Sequence, residues 1–186
     1  MKKKSTGLAF LCGLVFFVSC GQDSKPGTAD KFLAFLNNYQ ADSLELIVAD
    51  NFELRRTYSK HVDNKRSFID TYVPVSKNFN GKYNIIKTTN SRNTTDFLVE
   101  DQSDYLKYLH IANPKWKIKI ISNKQNKIES MLLDTTTDYQ VYVSQAREKS
   151  GPFESWLKMK YPDDKMETLY NTPGLMTQRL KEYSTK

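Results

Sequence analysis

Residues 115–120 read Lys-Trp-Lys-Ile-Lys-Ile. In an extended strand, successive side chains point to opposite faces. Trp116, Ile118 and Ile120 therefore share one face, and Lys115, Lys117 and Lys119 share the other. One face is dry and the other wet, the signature of a sheet covered on one side only. Helical spacing would scatter the same residues around a cylinder, so this stretch decides for a sheet.

Outward from it, the same period recurs. Lys82–Thr89, Thr94–Asp101, Asp104–Ile111 and Lys127–Asp134 read as four more strands. Asn-Ser-Arg-Asn, Gln-Ser, Ala-Asn-Pro and Asn-Lys-Gln-Asn separate the runs, and these are turn chemistries. Connections this short imply antiparallel neighbours.

On both sides of the sheet the period becomes helical. Phe32, Leu33, Phe35, Leu36 and Tyr39 share a face in 30–39, with Thr28 or Asp30 as the cap. Leu44, Leu46, Ile47 and Val48 mark a short second helix behind Asp42 or Ser43. Phe68, Ile69 and Tyr72 mark a third over 64–78, which Pro74 is expected to break or bend. Beyond Thr135, Tyr139, Tyr142, Val143 and Ala146 share a face. Ser150-Gly151-Pro152 is expected to stop that helix and start another carrying Phe153, Trp156, Leu157 and Tyr161. Met166, Leu169 and Tyr170 form a short amphipathic piece, and Thr172-Pro173-Gly174 introduces a last helix with Leu175, Met176, Leu180 and Tyr183. The order predicts an α+β fold: amino-terminal helices packed on a curved antiparallel sheet of about five strands, then carboxyl-terminal helices.

The amino end carries a different signal. Lys2, Lys3 and Lys4 precede an apolar run from Leu8 to Val18. That run suits the apolar region of a signal peptide and is too short to span a bilayer, which needs about 20 apolar residues. It ends at Phe17-Val18-Ser19-Cys20-Gly21, which resembles the lipobox of bacterial lipoproteins. The family prefers Leu where Phe17 stands and Gly or Ala where Ser19 stands. The resemblance implies cleavage before Cys20, lipid on its sulfur and amine, and attachment to a membrane of the bacterial cell envelope. An uncleaved anchor and cleavage without lipid are the alternatives. Residues 1–19 are thus read as signal peptide, 20–29 as a flexible tether, 30–134 as the main α+β domain and 135–186 as a helical extension of it.

Removing residues 1–19 leaves 167 of the 186, enough for one domain with a real core. Both cysteines, Cys12 and Cys20, go with the signal or end it, so the folded part has no disulfide and no thiol chemistry. Without Lys2, Lys3 and Lys4, 25 Lys and Arg face 21 Asp and Glu. That balance does not argue for nucleic acid. The only histidines are His61 and His110, and a zinc site would need both plus carboxylates. No metal or cofactor is expected. Gly-rich phosphate loops, nucleophile elbows and calcium loops are absent from the sequence.

Helices feeding a curved antiparallel sheet, with the aromatic-aliphatic strand around Trp116, resemble the nuclear transport factor 2-like superfamily over residues 28–134. A cystatin-like or unrelated α+β roll is the rival. The superfamily also contains ketosteroid isomerase and polyketide-cyclase-like enzymes. The resemblance implies a cone whose mouth can hold a small apolar ligand beside a carboxylate, histidine or tyrosine tuned by burial. The residues on or beside central strands are Asp101, Tyr105, Tyr108 and His110, with Asp96 and Asp104 nearby. No family motif maps onto them, and no catalytic role is transferred. Each also has a plain structural reading: turn-flanking carboxylates, sheet-face tyrosines, an ordinary strand histidine. The lysines of 115–119 could meet lipid head groups or an acidic partner, but read better as a solvated face. The expectation is a membrane-anchored, non-catalytic domain that binds a small apolar ligand or an envelope protein. An isomerase- or cyclase-like enzyme and an accessory subunit of an envelope complex are the alternatives.

Overall fold

The computed structural model describes residues 27–186. Its elements run α1 (Thr28–Asn37), α2 (Ala41–Ile47), β1 (Val48–Arg56), β2 (Ser59–Asn64), α3 (Lys65–Ser67), a π-helical turn (Phe68–Tyr72), α4 (Val73–Asn78), β3 (Lys82–Ser91), β4 (Thr94–Gln102), α5 (Asp104–Tyr108), β5 (Lys115–Ser122), β6 (Ile128–Thr135), α6 (Tyr139–Lys160), α7 (Met166–Asn171) and α8 (Leu175–Ser184). The expected α+β order holds: helices, a curved and unclosed sheet, then helices.

The sheet has six strands in the order β2-β1-β6-β5-β4-β3, one more than expected. β1 and β2 form a hairpin that the sequence reading passed over, while 104–111 is not a strand. There Ser103 caps α5 by accepting a hydrogen bond from the Leu106 N–H. His110 ends that helix in the left-handed region at φ 53, and the Ile111 N–H closes back onto the Leu106 carbonyl. The sheet is also mixed: β1 pairs with β6 in parallel, and the other pairings are antiparallel. Consequently β1, β4 and β6 run in one direction and finish at the same end of the sheet.

Two cores form. The concave face of the sheet buries Phe52, Leu54, Phe97, Val99, Ile118 and Ile120 against Phe32, Leu33 and Leu36 of α1 and Phe68 of the π turn. Phe32 stacks on Phe68 at 5.7 Å and Phe68 meets Phe52 at 4.9 Å. Losing one such ring would cost about 3–5 kcal/mol. The second core is built by helices: Leu106, Leu109 and Ile111 meet Phe153, Trp156 and Leu157 of α6 and Met176 and Leu180 of α8. The late aromatics Phe153 and Trp156 are thus interior residues, packed on α5 and α8.

Both expected proline breaks are absent. The third helical stretch is not broken at Pro74: it passes through the π turn Phe68–Tyr72 into α4, and the wider turn sits just ahead of the proline, which lacks the N–H for a regular i−4 bond. α6, 22 residues long, runs unbroken through Pro152. Its first part lies over the end of the sheet and its last part enters the second core.

Candidate functional site

Two strands carry a charge onto the dry face in the same way. On β4, Phe97 and Val99 point into the core, and alternation sends Asp101 after them. On β1, Phe52 and Leu54 do the same for Arg56. Because these strands run in one direction, both charges arrive at one end of the concave face.

Register supplies the neighbours. Tyr83 of β3 sits directly opposite Asp101, and Trp116 of β5 opposite Val99. The Trp116 indole Nε1–H donates to Asp101 Oδ2 at 3.3 Å. The Tyr72 and Tyr83 hydroxyls share a hydrogen bond of 2.8 Å. Tyr58, at the tip of the β1–β2 hairpin, stacks on Trp116 at 5.3 Å. From α6, Tyr139 and Tyr142 close on the same indole at 5.8 and 5.7 Å. Arg56 lies 5.4 Å from the centre of the Tyr72 ring and donates to Asp63 Oδ2 at 2.8 Å. The His61 ring nitrogen Nε2 lies 3.1 Å from the other Asp63 oxygen.

Burial dominates the electrostatics of this end. It pushes the Asp101 carboxyl up to about 7, against the pull of the Trp116 hydrogen bond. Burial likewise pushes the Tyr58 and Tyr142 hydroxyls up to about 12. For Asp63 burial acts upward too, but hydrogen bonds and charge from Arg56 and His61 win, and its carboxyl lies below the usual range. Arg56 is held more firmly protonated: burial opposes its charge, and Asp63 and Tyr72 outweigh it. The end therefore holds a fixed ion pair and one carboxyl poised between its two protonation states near neutral pH. A cleft of about 480 Å³, lined by Glu100, Lys115, Tyr142 and Gln145 among others, shares Tyr142 with this end, and Asp101 is not part of its lining.

The other sequence candidates lie apart from Asp101. Tyr105 turns into the helical core, edge-on to Phe79 at 6.4 Å, and burial raises its hydroxyl pKa. Tyr108 and the exposed His110 line a separate cleft against α6 and α8. Asp104 does not flank a strand turn; its carboxylate accepts from Asn80 and from Thr177 and ties α5 to α8. Asp96 faces Lys119 at 3.9 Å on the convex side. There the register sets Lys115 opposite Glu100, Lys117 opposite Asp134 and Lys119 opposite Asp96, so acids flank the lysine stripe. Among the described residues, no three His, Cys, Asp or Glu side chains gather as metal ligands. Cys20 lies outside the described residues. Sequence reasoning missed Arg56, Tyr58 and Tyr83 and placed Tyr72, Tyr139 and Tyr142 only as helix residues. The alternation Phe52-Leu54-Arg56 was the available signal.

No family model matches the chain, and no curated protein matches it in sequence. Solved structures do match. A Shewanella putrefaciens protein, described as a candidate SnoaL-like polyketide cyclase, aligns at TM-score 0.51 with 11% identity, over 65% of this chain and 84% of that one. A bacterially conserved, uncharacterized Silicibacter pomeroyi protein with a cystatin-like fold aligns at TM-score 0.50 with 9% identity, over 76% and 96%. The fold is nuclear transport factor 2-like. Within this fold, Asp101 stands at the end of the concave face, and α6 covers that end with Tyr139 and Tyr142.

Proposed function

We infer that this chain is a lipid-anchored protein of the bacterial cell envelope whose domain binds a small, largely apolar ligand at the Asp101 end of the sheet. The observation that carries the binding reading is the carboxyl at about 7 inside a wall of Trp116, Tyr58, Tyr139 and Tyr142. Aromatic walls offer apolar area with polar tips, and one buried carboxyl gives orientation through a hydrogen bond. The protonated form donates and the ionised form accepts, so a hydroxyl or a carbonyl on the ligand could be met.

The anchor rests on Lys2–Lys4, the apolar run and Ser19-Cys20. No described helix is long and apolar enough to cross a membrane. Gly27, where the described chain begins, lies beside Arg92, Asn123 and Asn126 of the β3–β4 and β5–β6 turns. Asp101 is at the opposite end of β4, about 25 Å away at strand rise. A tether from Cys20 would leave the ligand site facing away from the lipid.

Titration with 2-naphthol, a flat apolar probe with one hydroxyl, tests the binding reading. Binding is followed by isothermal titration calorimetry, because 2-naphthol emits in the same range as tryptophan. The expected result is a saturable heat of binding with an affinity that weakens about tenfold in Asp101→Leu, the loss of one hydrogen bond to a buried group. Equal affinity with and without the carboxylate would refute the site.

A second reading follows from the same carboxyl. A group near 7 can take and return a proton at neutral pH, as an isomerase- or cyclase-type reaction requires. Deuterium exchange into the α-carbon of an added cyclic ketone, followed by NMR, would show it. Exchange that follows pH with a midpoint near 7 and disappears in Asp101→Asn supports catalysis. Exchange no faster than in buffer leaves binding alone.

A further inference from the structure

The helical core leaves a cleft on its surface. The end of α5 and the turn behind it form one wall, α6 and the end of α8 the other, around about 870 Å³. Tyr108, Leu109, Pro152, Trp156, Met159 and Tyr183 supply its apolar lining. Met159 is 78% exposed there. Its unbranched thioether chain can repack against an apolar guest.

Lysines gather about the same mouth. Lys149 and Lys186 line it, and Lys107 and Lys181 stand beside one of its lining rings. The Lys107 and Lys181 ammonium groups lie 5.2 and 5.9 Å from the centre of the Tyr108 ring. The Lys186 ammonium lies 4.7 Å from the Trp156 ring and 5.5 Å from that of Tyr183. Among the lining residues, Glu148 carries the one acidic side chain, and it is paired with Lys149 at 2.8 Å. Among the described residues, Lys107, Lys181 and Lys186 enter no ion pair. Aromatic faces hold these ammonium groups over the cleft, and like charges gathered there leave a field that an anion would relieve.

We propose that this cleft binds an amphiphilic anion of the alkyl- or aryl-carboxylate class. The apolar body lies against Tyr108, Tyr183 and Met159, and the carboxylate sits among Lys107, Lys181 and Lys186. The site differs in kind from the Asp101 end. That end pairs one carboxyl with aromatic walls and suits a neutral ligand; this one pairs apolar walls with unneutralised positive charge. It also accounts for Tyr108 and His110, two sequence candidates that the Asp101 end does not use.

The test uses the full chain carrying Trp116→Phe, so that Trp156 is the only tryptophan. Octanoate and its neutral counterpart octan-1-ol are titrated in separate series. Octanoate should change Trp156 emission saturably and bind about tenfold more tightly than octan-1-ol. Raising salt from about 0.05 to about 0.5 M should narrow that gap, because screening acts on the charge alone. Lys107→Ala with Lys181→Ala should weaken octanoate about tenfold and leave octan-1-ol unchanged. Met159→Asp, an exposed change that sets a negative charge at the mouth, should weaken octanoate more than octan-1-ol, which loses only the apolar contact. Absence of a saturable signal, equal binding of the two probes, or indifference to the lysines would overturn the proposal. Sedimentation with dioleoylphosphatidylglycerol vesicles in a Cys20→Ser background, with octanoate silent, would also overturn it, since the lysines would then be reading a membrane surface.

Discussion

Asp101 owes its position to a period of two and its chemistry to what that period buries it among. The chain places Phe97 and Val99 on the dry face, and the next residue on that face is a carboxyl. Its folded pKa near 7 stands above the ordinary 3.8. The folded state therefore holds that proton more tightly than the unfolded chain. The stability this contributes is fully present below about pH 4 and is lost as pH rises to about 7. Three units of pH correspond to roughly 4 kcal/mol. Asp101→Asn should remove that dependence while keeping a polar group for Trp116. Urea unfolding of both proteins from pH 4 to 8 checks it, since the difference between the two profiles isolates this group from oppositely shifted carboxyls such as Asp63. The variant should gain on the wild type as pH rises; a constant offset would mean that burial does not govern the carboxyl. Asp101 was legible in sequence as a strand-end acid, but its partners were not. Tyr83 faces it through strand register, and Trp116, which donates to it, comes from the next strand; a local pattern encodes neither pairing. His110 was misplaced because a left-handed helix end normally advertises itself with glycine.

At the scale of elements, strands with one dry face were readable and exceptions to local grammar were not. β5 carries its alternation openly. β1 carries Phe52-Leu54-Arg56, yet its hairpin turns at Thr57-Tyr58, without the Gly or Asn that flags a tight turn. α5 looked like a strand because it is short; Ser103 and the i, i+3 pairs Tyr105–Tyr108 and Leu106–Leu109 were the helical signal. α6 defeats the proline rule. Burial of Tyr139 and Tyr142 at one end and of Phe153, Trp156 and Leu157 at the other holds the helix across Pro152. A proline inside a helix costs about 3 kcal/mol against alanine, offset in part by its stiffening of the unfolded chain. Pro152→Ala should therefore stabilise the protein by about 1–3 kcal/mol in denaturant unfolding. A loss of stability would show that the helix is in truth interrupted there, or that the proline ring packs better than alanine can.

For the whole molecule, parallel pairing of β1 with β6 gathers Arg56 and Asp101 at one end and leaves the chain's entry at Gly27 at the other. If the proposed anchor at Cys20 holds, that polarity becomes an orientation toward the membrane. Cys20→Ser should release the protein from the membrane fraction, and residues 27–186 should unfold as in the wild type. A variant still membrane-bound and still cleaved before position 20 would contradict the lipid anchor.

The account turns on the carboxyl of Asp101, and its titration by carbon-13 NMR, with and without saturating 2-naphthol, tests that most directly. A midpoint near 7 that moves when the probe binds is the predicted result. A midpoint near 3.8, unmoved by the probe, would describe a solvated strand-end aspartate and contradict a ligand site at this end of the sheet.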